Sequence, residues 1–399
     1  MIQRISIENF KAIFRAVDIP IAPFTVFIGN NGTGKSTVIE ALRALQIAVN
    51  KGLNDAFAEW GGLDRVRNYN ASLYINNNFI KDGKKRYSPL VINLTAQVKN
   101  KIFEYKVQIN VLPDGVYYVV EKEELYCNQE PVFVARVLDN ESDGEMTYYK
   151  TVSGSIIKDT YKANRLRLGL QSPFISEELE EFRRYIEEWQ FLYLNAHTMG
   201  KPVQQDRVYR VIKLEYEGRN IADYLMRLKE EGKEFFDSII RKMRYILPYI
   251  SDIEPHILEE TINREIELLL YEEKDNSKPI PGWLLSSGTL RILALLTMFE
   301  TPRKPSVLFV DEVENGLDPR TIGLLLSQVE SAFLDKSMQV VFTTHSPYLL
   351  DLVPLDSIIV AEKGELGSSY HVPKDENSLN VWKDKFSPGK LYTMGKLTN

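Results

Sequence analysis

Apolar and polar residues alternate near the amino terminus in the manner of β-strands. Residues 2–8 follow this pattern, and so do residues 17–28, which end in the apolar run Phe24–Ile28. A glycine-rich turn comes next, and apolar residues then return at near-helical spacing from Val38 to Leu45. This stretch therefore predicts a strand, a glycine turn and a helix, which is the beginning of a parallel α/β structure.

The periodicity changes in the middle of the chain. Between 73 and 152, short β-rich segments alternate with turn signals such as Pro113-Asp114-Gly115, which predicts an antiparallel sheet. Helical patterns dominate from 175 to 250, without the sustained heptads that a long coiled coil needs. A turn-rich stretch at 276–282 precedes predicted strands at 306–310 and 339–343, where the α/β pattern resumes.

The composition is that of an ordinary globular protein, with 44% apolar and 26% charged residues. It excludes disordered, collagen-like and mucin-like chains, and its length of 399 residues is enough for a sizeable core. The net charge of −6 argues against a constitutively basic nucleic-acid binder.

Cysteine usage and hydropathy indicate the compartment. The single cysteine, Cys127, cannot form an intrachain disulfide, and the four histidines show no metal-ligand spacing. No apolar run approaches the ~18 residues of a membrane span, and the amino terminus lacks a signal-peptide pattern. We therefore expect a cytoplasmic protein that is neither secreted nor membrane-spanning.

The glycine turn after Phe24–Ile28 carries the strongest chemical motif, since it fits G-x-x-x-x-G-K-[ST] between a strand and a helix. Its glycines let backbone N–H groups close around phosphates, and the helix N-terminus adds partial positive charge. Lys35 is predicted to reach the β- and γ-phosphates, and the Ser36 hydroxyl to ligate Mg²⁺. The predicted nucleotide-binding residues of this loop are Gly29, Asn30, Asn31, Gly32, Thr33, Gly34, Lys35, Ser36 and Thr37.

A second motif is the apolar strand Val307–Val310, which ends in the adjacent carboxylates Asp311 and Glu312. Phosphoryl transfer needs both charge neutralisation and an oriented nucleophile. Asp311 is therefore predicted to hold Mg²⁺, and Glu312 to polarise the attacking water. Acidic residues at a strand end are commonly a solvated turn, but the glycine loop favours the catalytic interpretation.

Three further stretches lie close to this carboxylate pair in the sequence, one before it and two after it. Leu285-Ser286-Ser287-Gly288-Thr289 begins an apolar helix, so hydroxyls and a helix N-terminus are arranged to receive an anion. Asn315-Gly316-Leu317-Asp318-Pro319 comes soon after the carboxylate pair, and His345 lies just beyond the next apolar strand. Each alone is commonly structural, as a helix cap, a turn or a core histidine, but their order makes a joint accident improbable.

With these motifs, the chain resembles the ABC-type ATPases of the SMC, RecF and overcoming-lysogenization-defect (OLD) group, in particular stand-alone members without a Toprim domain. The matching stretches are the opening Ile7–Lys11, the Walker A loop Gly29–Ser36, the signature motif Leu285–Thr289, the Walker B motif Leu308–Glu312, the D-loop Asn315–Asp318, the switch histidine His345 and the tail 382–397. The resemblance implies an α/β fold: a P-loop ABC-type ATPase head with an antiparallel β lobe and a short helical insert. We accordingly expect lobe I at 1–165, the insert at 166–280 and lobe II at 281–399.

The resemblance also implies a mechanism. In this group ATP and Mg²⁺ join two heads, and the signature motif of one head contacts the nucleotide held by the Walker A loop of the other. Ser286, Ser287 and Gly288 would then act in trans, Asp318 would couple the two sites, and His345 would contact the γ-phosphate as a catalytic residue with Lys35 and Glu312. The expected assembly is a homodimer formed through ATP, or a higher homo-oligomer.

The chain also departs from the group's pattern. The signature is Ser-Ser-Gly-Thr rather than Ser-Gly-Gly-Gln, and the interval from Lys35 to Asp311 exceeds that of transporter subunits, which weakens a transporter interpretation. Gln97 is the candidate for the glutamine that senses Mg²⁺, with a plain β-strand surface residue as its alternative. No Asp-x-Asp pair follows His345, so we expect no nuclease activity from this chain.

These observations lead to one hypothesis and two rivals. The leading hypothesis is a dimerising ATPase that regulates a separately encoded effector, in anti-phage defence. The rivals are an autonomous RecF- or SMC-like DNA-repair clamp and a non-hydrolysing scaffold joined by ATP. Surface solvation is the default explanation for two basic clusters, and DNA contact is the alternative: Lys81, Lys84, Lys85 and Arg86, and then Arg207, Arg210 and Lys213.

Overall fold

A computed structural model describes residues 1–72, 88–111, 117–137, 143–152, 155–172, 176–206, 212–258, 264–334, 338–373 and 385–397. The chain divides into two compact units. The first contains Met1–Trp189 and Asp356–Asn377, and the second contains Gln190–Leu355 and Ser378–Leu397. The boundaries expected from sequence, at 165 and 280, stay a prediction.

The first unit contains an antiparallel sheet of eight strands within the described residues, in the order β2-β1-β4-β5-β6-β7-β8-β9. Its strands are β1 (Ile2–Phe10), β2 (Ile13–Pro20), β4 (Leu90–Val98), β5 (Lys101–Val111), β6 (Tyr118–Cys127), β7 (Glu130–Val137), β8 (Asp143–Val152) and β9 (Ser155–Asn164). The predicted antiparallel sheet is therefore confirmed.

The first unit also contains a short parallel pair with a hairpin. Strand β3 (Phe24–Ile28) pairs in parallel with β17 (Ile358–Lys363), which turns back antiparallel as β18 (Ser368–His371). The sequence pattern predicted one strand over 17–28, but β2 ends at Pro20 and β3 begins at Phe24. Pro20 and Pro23 lack the N–H that a ladder needs, and the Thr25 hydroxyl accepts the Ala22 N–H at 2.9 Å, so the chain turns between the strands.

The helices of the first unit are α1 (Lys35–Lys51), α2 (Leu53–Ala58), α3 (Leu63–Val66) and α4 (Glu177–Glu187). Helix α1 buries its apolar positions, including Val38, Leu42 and Leu45. It ends at Gly52, whose N–H donates to the carbonyl groups of Ile47 and Ala48 and whose φ of 109° suits glycine. The predicted helix after the glycine turn is thus present, and it runs six residues past Leu45, its last predicted apolar residue.

Within the described residues, the second unit contains three parallel strands, β10 (Gln190–Leu192), β15 (Val307–Val310) and β16 (Gln339–Thr343), in that order. Every residue of β15 and β16 is buried, which explains their continuous apolar sequences. Seven helices of this unit lie in the described residues: α5 (Ala196–Met199), α6 (Ile221–Glu231), α7 (Lys233–Ile246), α8 (Ser287–Glu300), α9 (Pro319–Leu334), α10 (Pro347–Leu350) and α11 (Pro388–Thr393).

Part of the expected helical insert is a sheet. Strands β11 (Val203–Gln204), β12 (Ile250–Leu258), β13 (Glu265–Glu272) and β14 (Asp275–Pro281) pair antiparallel around β13. The turn predicted at 276–282 was wrong, because β14 occupies most of it. Pro279 and Pro281 are compatible with β14 because its only pairing among the described residues is with β13, so it is an edge strand.

Candidate nucleotide-binding site

The Walker A loop connects β3 to α1 in the first unit, and two of its glycines are required by geometry. Gly29 and Gly34 have φ angles of 148° and 94°. A Cβ on Gly29 would lie 2.2 Å from the carbonyl oxygen of Ala361, and one on Gly34 would lie 2.4 Å from Ser368 Oγ. Only glycine fits these positions without displacing a neighbour, so the loop keeps its backbone close to β17 and β18.

Lys35 is held underneath this loop. Its side chain is buried, and Nζ donates hydrogen bonds to the carbonyl oxygens of Gly29 at 2.8 Å and Asn30 at 3.0 Å. Helix α1, described throughout, has no acidic residue in its first turn and no side-chain cap at its start. Positive charge from Lys35 and from the helix N-terminus therefore meets at one end of α1, as an anion site requires.

The other predicted loop residues lie together with Lys35. Asn30, Asn31 and Gly32 are exposed at the tip of the loop, and Ser36 is half-buried in the first turn of α1. The Thr33 hydroxyl donates to the Asn30 carbonyl at 2.9 Å, and the Thr37 N–H donates to the Gly34 carbonyl at 3.1 Å. A glycine cradle, a buried ammonium and a helix N-terminus together fit a polyphosphate, and the Ser36 hydroxyl is an oxygen ligand of the kind Mg²⁺ prefers.

Asp311 and Glu312 follow β15 in the second unit. The Thr343 hydroxyl, at the end of β16, donates to Asp311 Oδ1 and accepts the Glu312 N–H at 2.8 Å. Glu312 has a φ of 50°, a left-handed conformation that is costly for a residue with a Cβ. Its Oε2 accepts a hydrogen bond from Asn315 Nδ2 at 2.5 Å. The two carboxylates are thus fixed separately, Asp311 buried and Glu312 half-buried.

His345 is connected to the same region through Glu314, which the sequence did not single out. The Glu314 carboxylate accepts the His345 N–H, so the segment after the Walker B motif is tied to the segment after β16. Ser346 caps α10 by accepting the Leu349 N–H. The structure therefore brings Asp311, Glu312 and His345 together on two neighbouring strand ends within this unit.

The signature motif and the D-loop pack directly on each other. Ser286 caps α8 by accepting the Thr289 N–H at 3.1 Å, and Ser287 is exposed. A Cβ on Gly288 would lie 2.7 Å from the carbonyl oxygen of Gly316, so the two backbones approach as closely as glycine allows. The approach explains why a glycine occurs at each position.

Asp318 caps α9 within its own unit. Its carboxylate accepts hydrogen bonds from the Thr321 hydroxyl at 2.5 Å and from the N–H groups of Arg320 and Thr321 at 3.0 and 3.1 Å. These bonds, above all the one from the Thr321 hydroxyl, lower the pKa of Asp318 below its ordinary value. Asp318 is therefore ionised at neutral pH, and its coupling of two sites stays a prediction.

Replacing Gly288 by alanine is expected to destabilise the second unit by about 1–3 kcal/mol, because the added methyl group overlaps the Gly316 carbonyl. Gly323→Ala is the matched control, since a Cβ there meets only Leu352 Cδ1 at 3.7 Å within an α-helix. That control should gain about 0.5–1 kcal/mol from helix propensity. Urea denaturation of both variants measures the difference, and equal stabilities would contradict the close approach.

The structure does not bring Gln97 to the Walker A loop. Gln97 is exposed beside the start of β1, where Gln3 Nε2 donates to its Oε1 at 3.4 Å. The Walker A loop lies near the other end of β1. Ser368 is next to Gly34 of that loop, and its N–H donates to the carbonyl of Ala12, which comes just after β1. The nine residues of β1 span about 30 Å. The alternative interpretation, a β-strand surface residue, describes what is observed.

Asn195 is a candidate site residue that the sequence pattern did not indicate. Strand β10 pairs in parallel with β15, with Leu192 opposite Val310, so the residues after β10 emerge at the same edge as Asp311. Asn195 lies there half-buried, and its Oδ1 accepts the His197 N–H at 3.2 Å. Periodicity cannot reveal a strand as short as the three residues of β10, so the sequence did not indicate Asn195 beside it.

Several predicted features fall outside the described residues. These are the basic cluster Lys81, Lys84, Lys85 and Arg86, then Arg207 and Arg210, and the start of the tail at Trp382. In the part of the chain that the structure describes, no cluster of three or more His, Cys, Asp or Glu side chains is placed to hold a metal ion. Among the described helices, none combines the length and apolar character needed to cross a membrane.

A glycine loop with its buried lysine, a strand ending in two carboxylates, and an α/β structure with an antiparallel sheet define the P-loop fold of ABC ATPases and SMC heads. The chain belongs to the family described as "AAA domain, putative AbiEii toxin, Type IV TA system", whose model matches residues 24–351.

Two curated relatives are ATP-binding subunits of transporters. The energy-coupling factor transporter ATP-binding protein EcfA2 of Clostridium tetani is 26% identical in an alignment of 218 positions that covers 49% of this chain and 72% of that protein. EcfA2 of Clostridium perfringens is 24% identical in an alignment of 216 positions that covers 49% of this chain and 73% of that protein. These similarities support ATP binding.

Two solved structures show the fold. A SMC head bound to the C-terminal winged-helix domain of ScpA has a TM-score of 0.54 at 15% identity, covering 93% of this chain and 96% of that one. A SMC head with an extended coiled coil, bound to the C-terminal domain of ScpA from Pyrococcus furiosus, has a TM-score of 0.50 at 13% identity, covering 93% and 95%. The expected α/β head fold is therefore confirmed.

Proposed function

We propose that this chain hydrolyses ATP, dimerises around the nucleotide, and regulates a separately encoded effector in anti-phage defence. Its proposed cofactors are ATP and Mg²⁺, with Lys35 on the phosphates, Ser36 and Asp311 on the metal ion, and Glu312 as the general base. The observation that carries ATP binding is the glycine cradle over a buried Lys35 at the start of α1.

Exposed apolar residues beside the signature motif support dimerisation. Trp283 and Leu284 are 51% and 67% exposed, and the exposed Ser286 and Ser287 follow them directly. Large apolar side chains in this position favour an interface over a solvated surface. A partner's nucleotide would then meet hydroxyl groups and the N-terminus of α8, which suits an anion.

The proposed role as a regulator rests on the family. The family's description refers to a putative AbiEii toxin of a type IV TA system. The structural relatives are SMC heads that carry a bound partner domain, which makes a protein effector a reasonable ligand for such a head.

The proposal is tested by measuring assembly with native mass spectrometry. Glu312→Gln protein should be a dimer in ATP and Mg²⁺ and a monomer in ADP. Adding Ser287→Arg should keep it monomeric in ATP, because a bulky cation at the signature blocks the interface, whereas the control Ser327→Arg on the exposed face of α9 should not. A protein that is a dimer in both ATP and ADP, and that stays a dimer when Ser287→Arg is added, would contradict dimerisation through ATP.

The effector and the rival functions are tested with the same protein. Tagged Glu312→Gln chain, recovered from its own cells in ATP, should carry a second polypeptide in fixed ratio. Recovery of dimer alone, with salt-sensitive binding of duplex DNA, would favour the autonomous DNA clamp. Nucleotide retention without phosphate release by the wild-type chain would favour the scaffold.

A further inference from the structure

The hairpin formed by β17 and β18 packs against the Walker A loop in the first unit. Strand β17 pairs in parallel with β3, so Ala361 lies beside Gly29, where the loop leaves β3. Strand β18 returns antiparallel with Tyr370 opposite Ala361. A segment more than three hundred residues away in sequence thus contacts the Walker A loop.

The Tyr370 hydroxyl makes a specific contact with this loop. It donates a hydrogen bond to the carbonyl oxygen of Gly34 at 2.8 Å. Its ring packs edge-on against Phe27 of β3, with centroids 6.0 Å apart and an interplanar angle of 86°. The side chain is therefore held at both ends, by the strand before the loop and by the residue before Lys35.

The hydroxyl remains a donor at neutral pH. Burial raises the pKa of Tyr370 above its ordinary value, so the phenol stays protonated. Tyr370 Oη and Ser368 Oγ occupy the space that a Cβ on Gly34 would take, at 2.8 and 2.4 Å, so only glycine leaves room for them here. Ser368 is itself fixed by its hydroxyl donating to the Ala12 carbonyl at 3.2 Å.

The carbonyl that Tyr370 contacts belongs to the peptide group that also carries the Lys35 N–H. A trans peptide is planar, so its C=O and N–H point in opposite directions. The Thr37 N–H donates to the same carbonyl at 3.1 Å, which aligns the peptide with the axis of α1. A carbonyl held by two donors therefore directs the Lys35 N–H toward the N-terminal side of the helix, where an anion is received.

We propose that Tyr370 is a positioning residue for nucleotide binding, which acts by orienting the Gly34–Lys35 peptide of the Walker A loop. This inference rests on the proposed function, because it assumes that the loop holds ATP. Tyr370 does not touch the nucleotide in this proposal. It sets the direction of a backbone donor that both ATP and ADP use.

Tyr370→Phe tests the proposal, since it removes one hydroxyl and keeps the ring against Phe27. The dissociation constants for ATP and for ADP, each with Mg²⁺, should both rise about threefold to tenfold, as expected for one lost hydrogen bond. Turnover at saturating ATP should stay at the wild-type value, so KM should rise while kcat does not. Isothermal titration and phosphate release measure the two quantities.

Tyr118→Phe is the matched control, because its hydroxyl accepts the Leu63 N–H at 3.4 Å elsewhere in the same unit. Unchanged affinities in Tyr370→Phe, or equal losses in Tyr118→Phe, would overturn the proposal. A loss of kcat with unchanged affinity would also overturn it. If the wild-type chain binds neither nucleotide, the proposed function itself fails. That result differs from one in which the wild-type chain binds both nucleotides and Tyr370→Phe leaves the affinities unchanged.

Discussion

The Glu312→Gln variant is expected to hydrolyse ATP about 10²- to 10⁴-fold more slowly than the wild-type chain while still binding ATP and Mg²⁺. A glutamine amide cannot accept the proton that the attacking water must lose. The substitution preserves the shape of the side chain, and the Glu312 N–H keeps its bond to the Thr343 hydroxyl. Binding and folding should therefore survive, and only the chemical step should slow.

Single-turnover phosphate release, compared with the affinity for ATP, separates the two effects. Glu130→Gln is the control, because it makes the same chemical change at the exposed first residue of β7. Wild-type turnover in Glu312→Gln would show that another group activates the water.

The Lys35→Ala variant is expected to bind ATP at least about 10²-fold more weakly, because a buried cation that pairs with charged groups contributes several kcal/mol. The wild-type ammonium is preorganised by the carbonyl groups of Gly29 and Asn30. Alanine removes the charge and also leaves these two carbonyl groups without that donor. The expected result is loss of nucleotide binding together with a lower melting temperature.

Lys51→Ala, at the exposed end of the same helix, is the control and should bind ATP normally. Thermal shift with and without ATP reports both quantities, since a bound nucleotide raises the melting temperature. If ATP stabilised the Lys35→Ala protein as strongly as the wild type, Lys35 would not be part of the nucleotide-binding site. Loss of stabilisation in both variants would instead indicate a general defect of α1.

Most of the elements near the predicted motifs follow from local sequence. The helix from Lys35 follows from its apolar spacing, and the short apolar runs Phe24–Ile28 and Val307–Val310 follow from their length and flanking residues. Short β-rich segments separated by turn signals also predicted the antiparallel sheet after residue 73. In each case the pattern is set by neighbours within a few residues, which is the range that periodicity measures.

Other features depend on contacts between distant residues, and there the sequence pattern failed. The Pro-rich stretch 276–282 forms β14 because β13 provides one edge for it to pair with. Glu314 contacts the N–H of His345, thirty-one positions away, and no local pattern shows that bond. Gln97 has the residue type of a metal ligand, but strand register puts it at the far end of β1.

The sequence by itself determined the chemistry of this protein: a phosphate-binding loop, two carboxylates at a strand end, and the order of the motifs around them. These depend on residue types at fixed short spacing, which the covalent chain sets directly. Only the tertiary structure decided what orients them. Tyr370 reaches Gly34, Thr343 holds Asp311 and Glu312, and Gly288 meets Gly316, because strand pairing and helix packing bring together residues that no spacing connects.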